Sequence, residues 1–379
     1  MRLNPNIDRS QWQEEPARLP PCGDRLATGE PLVTRPELRN IALVRLSALG
    51  DVTLMLPVVH TLQRVVPEAR ITWITGVGAY QLLEGIDGVD FVVIDKPRRL
   101  LDYPAFSKRL AQRRFDVVLA AQANLRANLL YPWIPAKRKI GFDRIRAREG
   151  QWLFTTQRIP FAQQHLMDSF FSFLQAEGIS ERILEWNLPI RDTDKAWAEE
   201  RLPQGNGPLI VLNPGSSKME RIWLPERYIE VIRSVQRRWD ARVVLTGDRS
   251  ATERGLGSYI QHKVGGGVVN LVGQTTPKQL AAVIREADCL VAPDTGPVHI
   301  AVAVDTPVVG LYAVSPSWLS GPYRFRELVV DRYEEAVRRI LNRDPAQVPW
   351  GTRVHTNKAM YLIEVQDVMR SLARVFESQ

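Results

Sequence analysis

The sequence predicts an α/β protein built from two doubly wound parallel sheets. Three observations carry that expectation. Short apolar runs alternate with amphipathic stretches, the runs are apolar at nearly every position rather than every second one, and the alternation stops and restarts around residues 186–208. A chain of 379 residues also exceeds what one hydrophobic core normally organises, so two domains are expected from length.

Residues 1–40 come first. "MRLNPNIDRSQWQEEPARLPPCGDRL" lacks the apolar centre of a secretion signal and carries prolines throughout, which predicts a loosely ordered extension. The first domain, 41–190, is expected to begin on the strand "NIALVRL" and to continue through "RITWIT", "DFVVI" and "DVVLAAQ". Between the first two strands, "DVTLMLPVVHTLQRVV" places Val52, Met55, Leu56, Val59, Leu62 and Val66 on one helical face, with Pro57 expected to kink it. "WNLPIRDTDKAWAEERLPQGNGP" joins the domains. The second domain, 191–345, supplies "LIVLNPG", "ARVVLTG", "VVNLVG", "DCLVAPDTG" and "TPVVGLY", and residues 346–379 form a helical segment expected to pack back on the first domain. In such folds ligands bind beyond the carboxyl ends of the strands, so two facing domains would enclose a central cleft.

Composition narrows the function. Hydrophobic residues at 45% and charged residues at 24% are ordinary for a globular protein, and no run of eighteen apolar residues is present to cross a membrane as a helix. A cytoplasmic protein is expected. The formal charge of +8 favours an anionic partner. Six cations fall within residues 136–148, namely Lys137, Arg138, Lys139, Arg144, Arg146 and Arg148, against one acid, Asp143. Aromatic residues are not interleaved with them and no nucleic-acid motif appears, so nucleic acid is not the expected partner. Cys22 and Cys289 cannot build a disulfide framework or a four-cysteine metal site, and the five histidines lack metal-ligand spacing. The Asp-x-Asp of "RDTDKAW" reads as a helix cap, so no metal is expected. "TGVGAYQ" imitates a dinucleotide fingerprint, but Gln81 replaces its third glycine and it does not follow the first strand.

Three loops carry chemistry. In "VRLSALGDV", Asp51 stands where the first helix begins, either as a helix cap or as a functional carboxylate at the ligand edge of the sheet. In "APDTGPVHIAVAV", Asp294, Thr295 and Gly296 turn tightly before a helix whose first turn holds Pro297 and His299, an arrangement suited to a phosphate; a structural role for the histidine fits equally. In "LNPGSSKMERIWLPERY", the hydroxyls of Ser216 and Ser217 precede Lys218 and Arg221, donors and cations suited to phosphate oxygens.

"IALVRLSALGDVTLMLPVVHTLQ", "NPGSSKMERIWLPERY" and "APDTGPVHIAVAVDTPVVGLY" together resemble the signature regions of glycosyltransferase family 9, the heptosyltransferases that build the inner core of bacterial lipopolysaccharide. The resemblance runs from about residue 40 to the C-terminus. It implies a GT-B fold of two Rossmann-like domains, an ADP-heptose donor, and inverting, metal-independent transfer to a lipid A and Kdo type acceptor. Asp51 is then the implied general base. Ser216 and Ser217 are implied phosphate contacts. The family's donor-binding lysine, two places before the tryptophan, is here Arg221, a departure in which Lys218 can share the role. Asp294 is the implied partner of donor sugar hydroxyls, with Thr295, Gly296 and His299 around the diphosphate and Asp248 at the ribose. "GFDRIRAREG" resembles the acceptor-side segment, which with Arg126 makes Arg126, Arg144 and Arg148 the implied acceptor-binding cations. The implied setting is a monomer in the cytoplasm, peripheral to the inner membrane. The alternatives are a protein heptosyltransferase and a sugar-nucleotide epimerase or hydrolase of the same form.

Overall fold

A parallel strand covered on both faces needs apolar side chains throughout, and a crossover helix needs an apolar stripe. Both patterns recur twice in the computed structural model, which describes residues 38–95 and 102–377. Most of the expected N-terminal extension, including Cys22, lies outside the described residues. The chain divides into two units between Pro189 and Ile190.

The first unit runs β1 (Asn40–Val44), α1 (Leu49–Leu54), α2 (Leu56–Val65), β2 (Arg70–Gly76), α3 (Val77–Leu83), β3 (Val89–Ile94), α4 (Asp102–Arg109), β4 (Phe115–Leu119), α5 (Leu125–Asn128), β5 (Ala136–Gly141), β6 (Gln157–Arg158) and α6 (Leu166–Ala176). Its six parallel strands lie in the order β3-β2-β1-β4-β5-β6. Strand order reverses between β1 and β4, and the connections leaving those two strands diverge there to open a ligand crevice. β1 pairs with β2 from Asn40↔Arg70 to Val44↔Ile74, and four of its five residues are buried.

The second unit runs α7 (Asp192–Arg201), β7 (Leu209–Leu212), α8 (Pro225–Trp239), β8 (Arg242–Leu245), α9 (Ala251–Val264), β9 (Val268–Asn270), α10 (Pro277–Glu286), β10 (Cys289–Pro293), α11 (Gly296–Ala303), β11 (Val308–Tyr312), α12 (Ser317–Ser320), β12 (Val330–Asp331), α13 (Tyr333–Ile340) and α14 (Val365–Glu377). These six strands are also parallel, in the order β12-β11-β10-β7-β8-β9, with the reversal between β7 and β10. Cys289 is fully buried in β10, and burial pushes its thiol pKa up, which keeps it in the inert protonated form.

Three local expectations change. The kink expected at Pro57 is a break: α1 ends at Leu54, Met55 turns, and α2 starts with Pro57 in its first turn. There the missing N–H costs nothing, because first-turn amides have no intrahelical partner. The basic run contains a strand, β5, whose cations are satisfied locally. Lys137 pairs with Asp116 at 2.8 Å, Arg138 pairs with Glu177 at 2.6 Å, and the Lys139 ammonium donates to the Tyr131 carbonyl at 2.6 Å. The C-terminal segment, expected to return to the first domain, packs instead within the second unit. α14 lies against α8 and the β11–β12 edge, burying Val365, Val368, Leu372 and Val375 at helical spacing. Trp223 explains that preference: it is fully buried, donates Nε1–H to the Ile363 carbonyl at 3.1 Å, and meets Tyr228 edge-on at 4.9 Å. The C-terminal segment thereby braces the loop that follows β7.

Candidate active site

The loop after β1 carries Asp51 in the first turn of α1, with its side chain 27% exposed. Two contacts hold it, an ion pair from Arg45 Nη2 and a hydrogen bond from the Ala48 N–H at 3.3 Å, and both fall on Oδ2. Oδ1 has no partner among the described residues. Arg45 is itself fixed, donating Nη1–H to the Ala121 carbonyl at 2.6 Å and standing 5.4 Å from the Phe170 ring. Gln122 accepts from Leu46 N–H at 2.6 Å, and Gln151 donates to the Ala120 and Gln122 carbonyls at 2.8 and 3.1 Å. Loops after β1, β4 and β5 are thus one braced assembly at the switch point of this sheet.

Beside it lies a cavity of about 1000 Å³ at the carboxyl edge, lined by Ser47, Ala48, Gly76, Gly78, Asp95 and Arg109 among others. The false dinucleotide fingerprint finds its meaning here. A Cβ on Gly76 would stand 2.6 Å from the Leu46 carbonyl oxygen, so the glycine lets β2 end against the β1 loop. Of the predicted acceptor cations, Arg126 lies in α5 after β4, and Arg144 and Arg148 lie exposed in the loop after β5. None of the three lines this cavity. Arg146 is different in kind: it is buried, paired with Asp143, and donates to Ser169 Oγ at 2.7 Å.

In the second unit the predicted donor residues converge on the switch point between β7 and β10. Ser216 is buried, with its hydroxyl 3.5 Å from the Asp294 carbonyl, whereas Ser217 and Lys218 are exposed. Arg221 reaches the Asp294 carbonyl oxygen at 3.1 Å and its Oδ2 at 3.2 Å. Ser315, from the loop after β11, donates to the same Oδ2, which leaves Asp294 Oδ1 without a partner among the described residues. Arg221 Nε is buried and also without one. Thr295 caps α11 in extended backbone without spending its hydroxyl on the helix, Gly296 follows half-buried, and His299 is buried in the first turn.

Asp248 is exposed, its carboxylate accepting from Ser250 N–H at 2.7 Å. The acid between the β7 and β8 loops is Glu253, which is 7% exposed and accepts from the Asp248 N–H at 2.7 Å. Two glycines admit it: a Cβ on Gly215 would lie 2.1 Å from Glu253 Cδ, and one on Gly247 would lie 2.7 Å from its Oε2. Burial raises the Glu253 pKa, opposed by the Asp248 N–H and reinforced by the Asp248 charge. Sequence reasoning missed Glu253 although "SATE" has the form of a capping box. In that motif the glutamate reaches back to the N-cap amide; here it reaches past Ser250 to Asp248. Arg45 and Ser315 were missed too. A cation six residues before Asp51 is a usable signal for the first, and no local signal exists for the second.

Two doubly wound units, each with a carboxylate clamped by an arginine at its switch point, have the architecture of the GT-B fold. Residues 104–344 match the family model described as glycosyltransferase family 9 (heptosyltransferase). The chain is 33% identical over 339 residues to the lipopolysaccharide core heptosyltransferase OpsX of Haemophilus influenzae, covering 89% of this chain and 97% of that one. It is 26% identical over 302 residues to lipopolysaccharide heptosyltransferase 1 of Pseudomonas aeruginosa, covering 75% and 81%. Among solved structures, a family 9 glycosyltransferase from Veillonella parvula superposes with a TM-score of 0.74 at 19% identity, over 90% of this chain and 98% of that one. ADP-heptose lps heptosyltransferase II of E. coli superposes at 0.70 and 18% identity, over 89% and 99%. The chain belongs to glycosyltransferase family 9 and is a glycosyltransferase.

Proposed function

We propose that the enzyme transfers heptose from ADP-heptose to a hydroxyl of the lipopolysaccharide inner core, on a lipid A and Kdo type acceptor. In this reading Asp51 Oδ1 takes the proton of the attacking hydroxyl. The acceptor oxygen bonds to the anomeric carbon from the face opposite the diphosphate, the bond to the phosphate oxygen breaks, and ADP leaves with its electron pair. One displacement inverts the anomeric centre and needs no enzymic nucleophile. The observation that carries the reading is the one-sided clamping of Asp51: both contacts sit on Oδ2, leaving one carboxylate oxygen available at the ligand edge.

Negative charge developing on the diphosphate would be met by Arg221, Lys218, the hydroxyls of Ser216, Ser217 and Thr295, and the α11 N-terminus at Gly296, with His299 beside them. These groups make a divalent ion dispensable. Asp294 Oδ1 would accept from donor sugar hydroxyls, and Asp248 or Glu253 from the ribose. Arg126, Arg144 and Arg148 would take acceptor carboxylates and phosphates. The enzyme works in this reading as a monomer at the cytoplasmic face of the inner membrane. The test is calorimetric titration with ADP-heptose followed by ADP release with a truncated lipid A–Kdo acceptor in EDTA. Donor binding with acceptor-dependent ADP release supports the reading, and failure to bind ADP-heptose refutes the donor assignment.

A further inference from the structure

Five large apolar side chains stand exposed on the loops that leave the carboxyl ends of β4, β5 and β6: Leu125 at 52%, Ile145 at 62%, Trp152 at 39%, Leu153 at 73% and Phe161 at 41%. A soluble face tolerates such residues singly, and five on three neighbouring loops is a patch. The loops are knit together. Leu125 N–H donates to the Glu149 carboxylate, and Asn128 Nδ2 donates to the Arg148 and Glu149 carbonyls at 3.0 Å each. Arg146 donates to the Pro160 carbonyl at 2.6 Å while its guanidinium lies 5.8 Å from the Phe161 ring. Interleaved with the apolar groups are the exposed cations Arg126, Arg144 and Arg148, which make no ion pair among the described residues. The acids of the same loops are already engaged, Asp143 by Arg146 and Glu149 by Leu125. The face is therefore apolar and positively charged at once.

We infer that this face docks on a lipid bilayer with anionic headgroups, its apolar side chains entering the interfacial layer and its arginines meeting headgroup phosphates. A second copy of the chain is a poorer occupant, because a two-fold contact through this face brings two positively charged surfaces together. The inference rests on the proposed lipid-borne acceptor. It adds a reason for the position of the patch: Gln151, in the same turn as Trp152, donates to the carbonyl of Gln122, whose side chain holds the β1 loop of Asp51. Docking here brings the membrane to the loops that carry the reaction.

The experiment is co-sedimentation of the full chain with phosphatidylcholine vesicles, with and without phosphatidylglycerol, for wild type, Trp152→Ser/Leu153→Ser, Phe161→Ser and Trp133→Ser. Trp133 is equally exposed but precedes β5, at the opposite edge of the sheet. The expected result is binding that requires phosphatidylglycerol, weakens by at least about tenfold in the double variant and measurably in Phe161→Ser, and is unchanged in Trp133→Ser. Phe161→Ser tests a separate loop should the double variant not fold. Wild type that ignores anionic vesicles, patch variants that bind like wild type, or an equal loss in Trp133→Ser overturns the inference. So does a dimer in sedimentation velocity that the double variant disperses. Turnover of a deacylated, water-soluble acceptor, measured in parallel, should stay within about twofold in the double variant. If wild type cannot use that acceptor, the functional reading fails while the vesicle result still stands or falls by itself.

Discussion

Replacing Asp51 by Asn separates the two roles its position allows. Asparagine keeps an oxygen to accept the Ala48 N–H, so the cap survives, but it cannot take a proton or balance Arg45. The pair is partly covered, at 12% exposure for Arg45 and 27% for Asp51, so its loss should cost about 1–2 kcal/mol, between an exposed pair and a buried one. At about 2–4 °C per kcal/mol in a unit the size of the one that holds Asp51, its unfolding midpoint should fall by roughly 2–8 °C. Turnover should fall far more, by about 10²- to 10⁴-fold, with the donor Kd nearly unchanged. Steady-state ADP release at 25 °C with saturating acceptor, calorimetric donor titration and scanning calorimetry measure the three quantities. A variant that melts earlier yet keeps kcat within about threefold would reduce Asp51 to a cap and ion-pair partner and refute the assignment.

Removing the Ser315 hydroxyl deprives Asp294 Oδ2 of a charge-assisted hydrogen bond, so Ser315→Ala should weaken ADP-heptose binding by about tenfold or more, with Ser315→Thr restoring it; equal donor affinity in all three proteins would dismiss Ser315 as a positioning residue. Glu253 has a raised pKa in the fold, so its contribution to stability is present below the unfolded-state value and is lost as pH rises through the folded one. Glu253→Gln should therefore melt higher than wild type at neutral pH and approach it in acid, and melting curves from acid to neutral pH in which the gap fails to grow would contradict that sign. Gly215→Ala places a Cβ 2.1 Å from Glu253 Cδ and should destabilise the fold by about 1–3 kcal/mol in urea titration. Shortening the acid in a Gly215→Ala/Glu253→Ala double variant should recover part of that loss, and strictly additive effects would show that the two sites do not share the space.

What the sequence disclosed follows from how local its signals are. β1, β7, β10 and β11 are almost continuous apolar runs, and such runs can only be strands buried on both faces or buried helices. β5 stayed hidden because "AKRKIG" reads as a solvated basic stretch; its pairing with β4 makes it a strand, and its cations are met by Asp116, Glu177 and the Tyr131 carbonyl. The two-residue strands β6 and β12 are too short to leave a pattern. Site residues divide the same way. Asp51, Ser216, Arg221 and Asp294 stand at strand ends within glycine- or proline-marked turns and could be picked out singly. Ser315 and Glu253 take their positions from loops packed side by side, where sequence neighbours say little.

The two switch points solve one physical problem in the same way. Each needs a carboxylate that is correctly aimed and still open to a ligand, and an acid simply left at a loop tip would satisfy only the second requirement. An arginine of the same unit, Arg45 for Asp51 and Arg221 for Asp294, fixes the aim through one oxygen and leaves the second unpartnered among the described residues. Orientation is then settled in the fold rather than on ligand arrival, which is where an enzyme gains most from rigid positioning. Arginine and lysine would act differently at residue 221. A lysine offers a single rotatable point charge, whereas the guanidinium spans the carbonyl oxygen and the carboxylate of Asp294 at 3.1 and 3.2 Å with its Nε left over. Arginine at this position clamps the acid and keeps a donor in reserve, so in the proposed function the parts played by Arg221 and Asp294 are coupled.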